Sequence, residues 1–289
     1  MNEQLVDTGR VRLAIRRTGP GLARRPVLLV HGLASNARLW DGVAHHLAAA
    51  GHPVVAVDQR GHGCSDVPAD GYDTETCAAD LAALIEALGW VGDLAPVVAG
   101  QSWGANVVLT LAARHPAATA GIALVDGGWI RLGGRFDTFD QCWQLLAPPS
   151  FEGVQYDDLA QGIAGAHPDW PAEAIAGTLA NLVRSDDGST RARLSREHHR
   201  SILHSLWQGD PRTLYPLVDV PAVLMPAGVN VNAGAVIEAA GAIANCTVSD
   251  YVGADHDLHA QHPGRCALDL QNLAERADQA AIVTKGTTA

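Results

Sequence analysis

Short apolar runs alternate with stretches of helical spacing along most of the chain. Residues 10–17 (RVRLAIRR) alternate apolar and polar with period two, which predicts an edge or half-buried strand. Val27 to Val30, bounded by Pro26 and Gly32, form an unbroken apolar run and predict a buried strand. A helical stretch near 38–50 leads to a second buried run at 53–58 (PVVAVD). The next amphipathic stretch, about 74–89, places Leu81, Leu84, Ile85 and Leu88 on one stripe. PVVAG at 96–100, a helix over about 103–114 and AGIALVD at 120–126 continue the rhythm. Strands that are apolar on both faces and separated by helices predict a parallel sheet covered on each side.

The rhythm breaks over 129–215, where the apolar spacing is helical and Pro and Gly interrupt it at 148–153, 168–171 and 209–211. We read a helical insertion there. Strand-like VPAVLMP (220–226), a helix near 234–244, CTVSDYV (246–252) and a final helix over about 263–281 complete the chain, and the terminal KGTTA predicts a frayed tail. The organisation is therefore a core domain of residues 1–128 and 216–289 with a helical lid of residues 129–215.

A chain of 289 residues, 47 % hydrophobic, can bury a large core. The first residues lack the apolar h-region of a signal peptide, and no run approaches the roughly 18 apolar residues of a membrane span, so a soluble cytoplasmic protein with no membrane partner is expected. Five cysteines without a CxxC argue against a disulfide framework and a zinc ribbon. A net charge of -11 with no basic cluster leaves nucleic-acid backbones nothing to hold. The one lysine, Lys285, lies in the tail, which removes Schiff-base chemistry on a buried lysine and the P-loop.

The sharpest chemical signal is Gly100-Gln101-Ser102-Trp103-Gly104, a G-x-S-x-G between an apolar strand and a helical stretch. Small residues at both flanks permit the tight turn that lifts a serine hydroxyl clear of a sheet, at a helix N-terminus. Val30-His31-Gly32-Leu33 ends the first buried strand, where a turn can present the Leu33 N–H beside that of Trp103 as an oxyanion hole. His31 itself reads as a turn-shaping residue. The serine needs a base that changes protonation near neutral pH. Of thirteen histidines, His256 follows the last strand and precedes the last helix, so the sheet can bring it to the edge that carries Ser102.

Taken in order, strand-HG, strand-DQRGHGCS (58–65), strand-GQSWG, a helical insertion and GADHDLHAQHP (253–263) resemble the α/β-hydrolase superfamily across nearly the whole chain. The resemblance implies a mainly parallel eight-stranded α/β sheet flanked by helices, a helical lid between strands six and seven, and a Ser–His–acid triad. In most such enzymes the acid follows the seventh strand, but here that loop reads Ala227-Gly228-Val229-Asn230-Val231-Asn232 and holds no carboxylate. An amide at Asn230 lacks the charge that supports an imidazolium. Asp126, at the end of the predicted sixth strand, is one strand spacing away, about 4.8 Å. Some members of the superfamily place their acid there, and Asp126 is the expected third member. The competing reading is that Asp126 makes an Asx-turn or caps the entry to the insertion.

His256, His259 and His262 form H-x-x-H-x-x-H, but metal-binding helical pairs are spaced i, i+4 and Pro263 ends any such helix, so no metal is expected. Gly61-His62-Gly63 lacks the third glycine of a dinucleotide loop and reads as a turn. Aromatics gather in the insertion, and Trp129, Phe136, Trp143 and Trp207 are the expected substrate-facing positions, beside Trp103. The expected function is hydrolysis of an apolar carboxylic ester or lactone through an acyl-enzyme, with no cofactor. Two alternatives stay open: hydrolysis of a carbon–carbon bond in a diketone-like substrate, and a ligand-binding member of the fold without turnover.

Overall fold

The computed structural model describes residues 1–287. Ten strands run in chain order as β1 (Asn2–Asp7), β2 (Arg12–Thr18), β3 (Val27–Val30), β4 (Val54–Val57), β5 (Val97–Gln101), β6 (Gly121–Val125), β7 (Leu182–Arg184), β8 (Thr190–Ala192), β9 (Ala222–Met225) and β10 (Cys246–Val248). The helices are α1 (Asp41–Ala49), α2 (Thr74–Ala87), α3 (Trp103–Arg114), α4 (Phe139–Leu146), α5 (Tyr156–Ala166), α6 (Ala172–Leu179), α7 (Arg196–Gln208), α8 (Gly234–Ala242), α9 (Leu258–Gln261) and α10 (Pro263–Thr287).

Eight strands form one sheet in the order β1-β2-β4-β3-β5-β6-β9-β10. β1 and β2 pair antiparallel, as do β2 and β4, and every other neighbour is parallel. The central strands β3, β4, β5, β6 and β9 are buried at every position. Both faces are covered, which is why these strands are apolar without alternation. Leu28, Val30, Val55 and Val57 point toward α2 and α3, while Val27, Leu29, Val54 and Ala56 point toward α1 and α10. On α10, Cys266, Leu270, Leu273 and Ala277 make one buried stripe at helical spacing. The helix continues to Thr287, past the expected end near 281; Thr288 and Ala289 of the expected frayed tail lie outside the described residues.

Two elements depart from the sequence expectation. β1 supplies the eighth strand, built from the polar stretch NEQLVD at the sheet's edge, where almost no burial leaves no apolar signal. The insertion is also not wholly helical. β7 and β8 form an antiparallel hairpin whose turn carries Gly188 at φ +81°, and three residues per strand are too few to print a period in sequence. Among the described residues no helix is long and apolar enough to cross a membrane.

Candidate active site

β5 ends at Gln101 and α3 begins at Trp103, so Ser102 alone makes the turn, at φ 54° and ψ -122°. Such a conformation costs a non-glycine residue about 1–3 kcal/mol. Hydrogen bonds hold it: Ser102 N–H donates to Val125 O on β6 at 2.9 Å, and Ser102 O accepts from Ala105 N–H at 3.0 Å. The flanking glycines are required by contact. A Cβ on Gly100 would lie 2.3 Å from Gly104 O, and one on Gly104 would lie 2.4 Å from His31 O.

That second contact seats the turn after β3 against the start of α3. His31 and His62 fix it from below. His31 Nδ1–H donates to Gly32 O at 2.7 Å while Nε2 accepts from Gln59 N–H at 3.0 Å. His62 Nδ1–H donates to Arg60 O at 2.9 Å while Nε2 accepts from Ala34 N–H at 3.2 Å. Burial keeps both rings neutral, with pKa values lowered to about 4 for His31 and about 3 for His62. The Asp58 carboxylate closes the neighbouring 58–65 turn by accepting from Ala37 N–H at 2.8 Å and Cys64 N–H at 2.9 Å. Among the described residues the N–H groups of Leu33 and Trp103 donate to nothing. Trp103 is the first residue of α3, where N–H groups lack helical acceptors.

Asp126 follows β6 directly, at φ 41°. Its N–H donates to Met225 O on β9 at 3.0 Å, which locks the residue between the two strands. Oδ1 accepts from Ala227 N–H and from Asn230 Nδ2, both at 2.9 Å. Oδ2 accepts from His256 Nδ1–H at 2.6 Å. The carboxylate is buried, its side chain 2 % exposed, whereas the His256 side chain is 54 % exposed. Burial alone would lower the His256 pKa. The Asp126 hydrogen bond, with the charges of Asp257 and Asp126, outweighs burial and holds it above the usual 6.5. Burial in turn pushes the Asp257 carboxyl up.

His256 lies in the loop between β10 and α9, and its carbonyl accepts from Gln101 Nε2, the residue before Ser102, at 3.2 Å. Serine and histidine loops are thus tied at the same sheet edge. Among the described residues no hydrogen bond joins the Ser102 hydroxyl to the imidazole, and such bonds often tighten only with substrate bound. His259 and His262 do not join them: the His259 ring lies 4.2 Å from Trp40, and the His262 ring 6.3 Å from Tyr251. Among the described residues no three His, Cys, Asp or Glu side chains are grouped to hold a metal ion.

A cavity of about 410 Å³ lies between the turn after β3 and the insertion, lined by Ala34 and His62 on one side and by Leu146, Phe151, Leu159 and Ile163 on the other. None of the four aromatics expected to face substrate lines this cavity, and neither Ser102 nor His256 does. Trp129 and Phe136 are buried in the main core, Trp207 donates from Nε1 to Phe136 O at 3.0 Å, and Trp143 stacks under the Arg196 guanidinium at 5.0 Å. Phe139, Trp143 and Trp207 pack around α4 and α7, and the cavity is left to Phe151 and aliphatic side chains such as Leu146, Leu159 and Ile163. Asn230 as a donor to Asp126 is a role that sequence reasoning missed; its position in the loop after β9, at the usual place of the acid, was the available signal.

A serine at a strand-to-helix turn, a buried carboxylate and an imidazole bonded to it, all at the carboxyl edge of a doubly covered parallel sheet, define the class. The family profile described as the alpha/beta hydrolase fold matches residues 25–219, and the chain belongs to that family. It is 30 % identical over 195 residues to the 2-(acetamidomethylene)succinate hydrolase of Mesorhizobium japonicum, a match covering 64 % of this chain and 63 % of that relative. It is 27 % identical over 261 residues to a non-heme chloroperoxidase of Streptomyces lividans, covering 85 % of this chain and 90 % of the relative. Among solved structures, an E-2-(acetamidomethylene)succinate hydrolase superposes with a TM-score of 0.77 at 25 % identity, covering 95 % of this chain and 99 % of the other.

Proposed function

We propose that the chain is a serine hydrolase that cleaves a carboxylic ester or lactone through an acyl-enzyme. Ser102 attacks the carbonyl carbon as His256 Nε2 takes its proton, and Asp126 orients and supports the imidazolium through Nδ1. The amides of Leu33 and Trp103 receive the oxyanion. His256 returns the proton to the leaving alcohol, then draws a proton from the water that attacks the acyl carbon and delivers it to Ser102 Oγ as the acyl–oxygen bond breaks and the acid departs. No step calls for a metal or cofactor. The insertion serves as a lid, and the apolar part of the substrate occupies the cavity beneath it. The observation that carries the reading is the 2.6 Å bond between His256 Nδ1 and the buried Asp126, at the sheet edge that also carries the Ser102 turn. The test is covalent labelling of Ser102 by a fluorophosphonate together with a panel of chromogenic esters and lactones. Labelling with turnover of a panel member supports the reading, and a folded protein with an inert serine refutes it in favour of ligand binding without turnover.

A second reading has its own support. Arg193 lines both the 410 Å³ cavity and an adjoining one of about 360 Å³, and its Nε donates to Ala180 O at 2.7 Å. Among the described residues it has no acidic partner. A guanidinium so placed suits a substrate with a carboxylate, as the name of the Mesorhizobium japonicum relative describes. Including 2-(acetamidomethylene)succinate in the panel separates the two.

A further inference from the structure

The segment between α5 and α6 reaches the histidine loop and is bonded to it at two points. Trp170 Nε1–H donates to Asp255 Oδ2 at 2.9 Å, and Asp255 adjoins His256 in the chain. Gln261, the last residue of α9, accepts the Asp255 N–H at 2.8 Å through Oε1 and donates through Nε2 to Asp169 Oδ2 at 2.6 Å. Because Asp169 and Trp170 are consecutive, these bonds close a ring: Trp170, Asp255, Gln261, Asp169 and back along the chain. The ring rests on an apolar floor, where Trp170 packs in a small cluster with Leu39, Ala174 and Ala260. His167 lies against Trp170 at 4.1 Å, and its Nδ1 is 3.6 Å from Asp255 Oδ2. The adjoining α6 is bonded to the other wall of the cleft, since Asn36 Nδ2 donates to Gly177 O at 2.8 Å. One segment of the insertion therefore holds both the turn after β3 and the loop of His256.

We propose that Asp169, Trp170, Asp255 and Gln261 form a clasp through which the insertion positions His256 against Asp126, so that a seated insertion and a competent histidine are one state. None of the four touches reacting atoms; they are positioning residues, and the proposal rests on the Ser102–His256–Asp126 reading. Apart from the clasp, the histidine loop is held at its backbone, by Gln101 Nε2 on the His256 carbonyl and by the Ala254 N–H on Tyr251 O. The His256 side chain is half in solvent with Asp126 as its hydrogen-bond partner, and Asp257, the residue before α9, makes no side-chain cap. Unclasped, the loop can drift and carry the imidazole off the carboxylate.

Trp170→Phe and Gln261→Leu each break the ring and leave every charge in place. The charged and titratable groups around the imidazole stay as they are: Asp126 after β6, Asp257 on its own loop and His259 on α9, with Asp255 and His167 acting on Asp257 in turn. The readouts, on the full chain, are the rate of fluorophosphonate labelling of Ser102 against pH and the kcat and KM of a turned-over ester. Each variant is expected to label and turn over about tenfold more slowly, a displacement of 1 Å at a catalytic group costing up to about a hundredfold. KM stays near wild type, and the acid limb moves to lower pH because an imidazole leaving Asp126 loses what holds its pKa up. The double variant falls short of the product of the two, since both open one ring. Labelling within twofold of wild type with the acid limb unmoved, whatever the melting temperature, overturns the clasp, as do effects that multiply in the double variant. Should Trp170→Phe fail to fold, the half-buried Gln261→Leu decides alone by the same criteria. A wild-type chain inert to the fluorophosphonate overturns both this proposal and the one it rests on.

Discussion

Asp126→Asn tests the catalytic reading where the geometry leaves the amide least freedom. In the native site Oδ1 faces two donors, Ala227 N–H and Asn230 Nδ2, each at 2.9 Å, and Oδ2 faces the His256 Nδ1–H at 2.6 Å. An amide has one oxygen and one NH2. Turning the oxygen toward His256 would set the NH2 against two donors in a buried pocket, each unsatisfied group costing about 1–3 kcal/mol. The oxygen therefore takes the Oδ1 place and the NH2 points at the imidazole. His256 must then accept at Nδ1 and carry its proton on Nε2, the nitrogen that has to receive the Ser102 proton. The wrong tautomer, with loss of the charge beside the imidazolium, costs about 10⁴ in turnover where the same change is made in serine proteases of another fold, or about 5 kcal/mol of barrier. The assay is kcat for a chromogenic ester, with circular dichroism to confirm folding. A folded Asp126→Asn protein retaining a tenth or more of wild-type turnover would refute the assignment of the acid.

Further tests follow from the same geometry. Asn230→Ala removes one of two donors to Oδ1 and is expected to cost no more than about tenfold in kcat, near the about 1.5 kcal/mol of one neutral donor; a loss as large as that of Asp126→Asn would mean that the amide, not the carboxylate, orients the histidine. The pH profile of kcat/KM should fall on the acid side through a pKa above 6.5, because His256 must be neutral to act and Asp126 raises it; an inflection well below 6.5 contradicts the pairing. Burial lowers the folded-state pKa of His31 to about 4, of His199 to about 4, and of His62 and His259 to about 3. Between pH 6.5 and about 4 the unfolded chain takes up protons that the folded chain refuses, so stability drains as pH falls through that window. The loss amounts to several kcal/mol, since each tenfold difference in proton affinity between the folded and unfolded chain is worth about 1.4 kcal/mol. His256 acts in the opposite sense: its contribution is full below 6.5 and is lost as pH rises through its folded value, so a denaturant midpoint flat from pH 7 to 4 would contradict the neutral buried rings. Ile163→Trp, at the cavity wall, should raise KM for long-chain esters and spare acetates; equal effects on both would place the apolar chain elsewhere.

The parallel sheet was legible because its strands are covered twice, and continuous apolar runs such as Val27 to Val30 survive any register. β1 was not, since NEQLVD buries almost nothing and is a strand only because β2 offers it a partner. That Ser102, Asp126 and His256 lie at one edge of the sheet was legible from order along the chain, because chain order fixes which strand ends at which edge. The cavity wall could not. Whether Trp143 or Leu146 faces the space depends on how α4 is rotated against α7, and in sequence both are simply apolar positions of one short helix. The clasp was invisible for a related reason: it joins Asp169 and Trp170 to Asp255 and Gln261 across some ninety residues, through single polar contacts that leave no periodic trace.

Ser102 and Asp126 each sit in a backbone conformation that an isolated chain avoids, and each is restrained by a bond to the next strand: Ser102 N–H to Val125 O, and Asp126 N–H to Met225 O. Gly127 packs so close beneath them that a Cβ there would stand 2.2 Å from Ser102 O. The second restraint arrives only when β9 docks, after the whole insertion has been made. During refolding, then, helical content and burial of the central strands should recover before any reactive serine does. A chain stopped ahead of Met225 lacks the carbonyl that restrains Asp126, whatever else of it has folded.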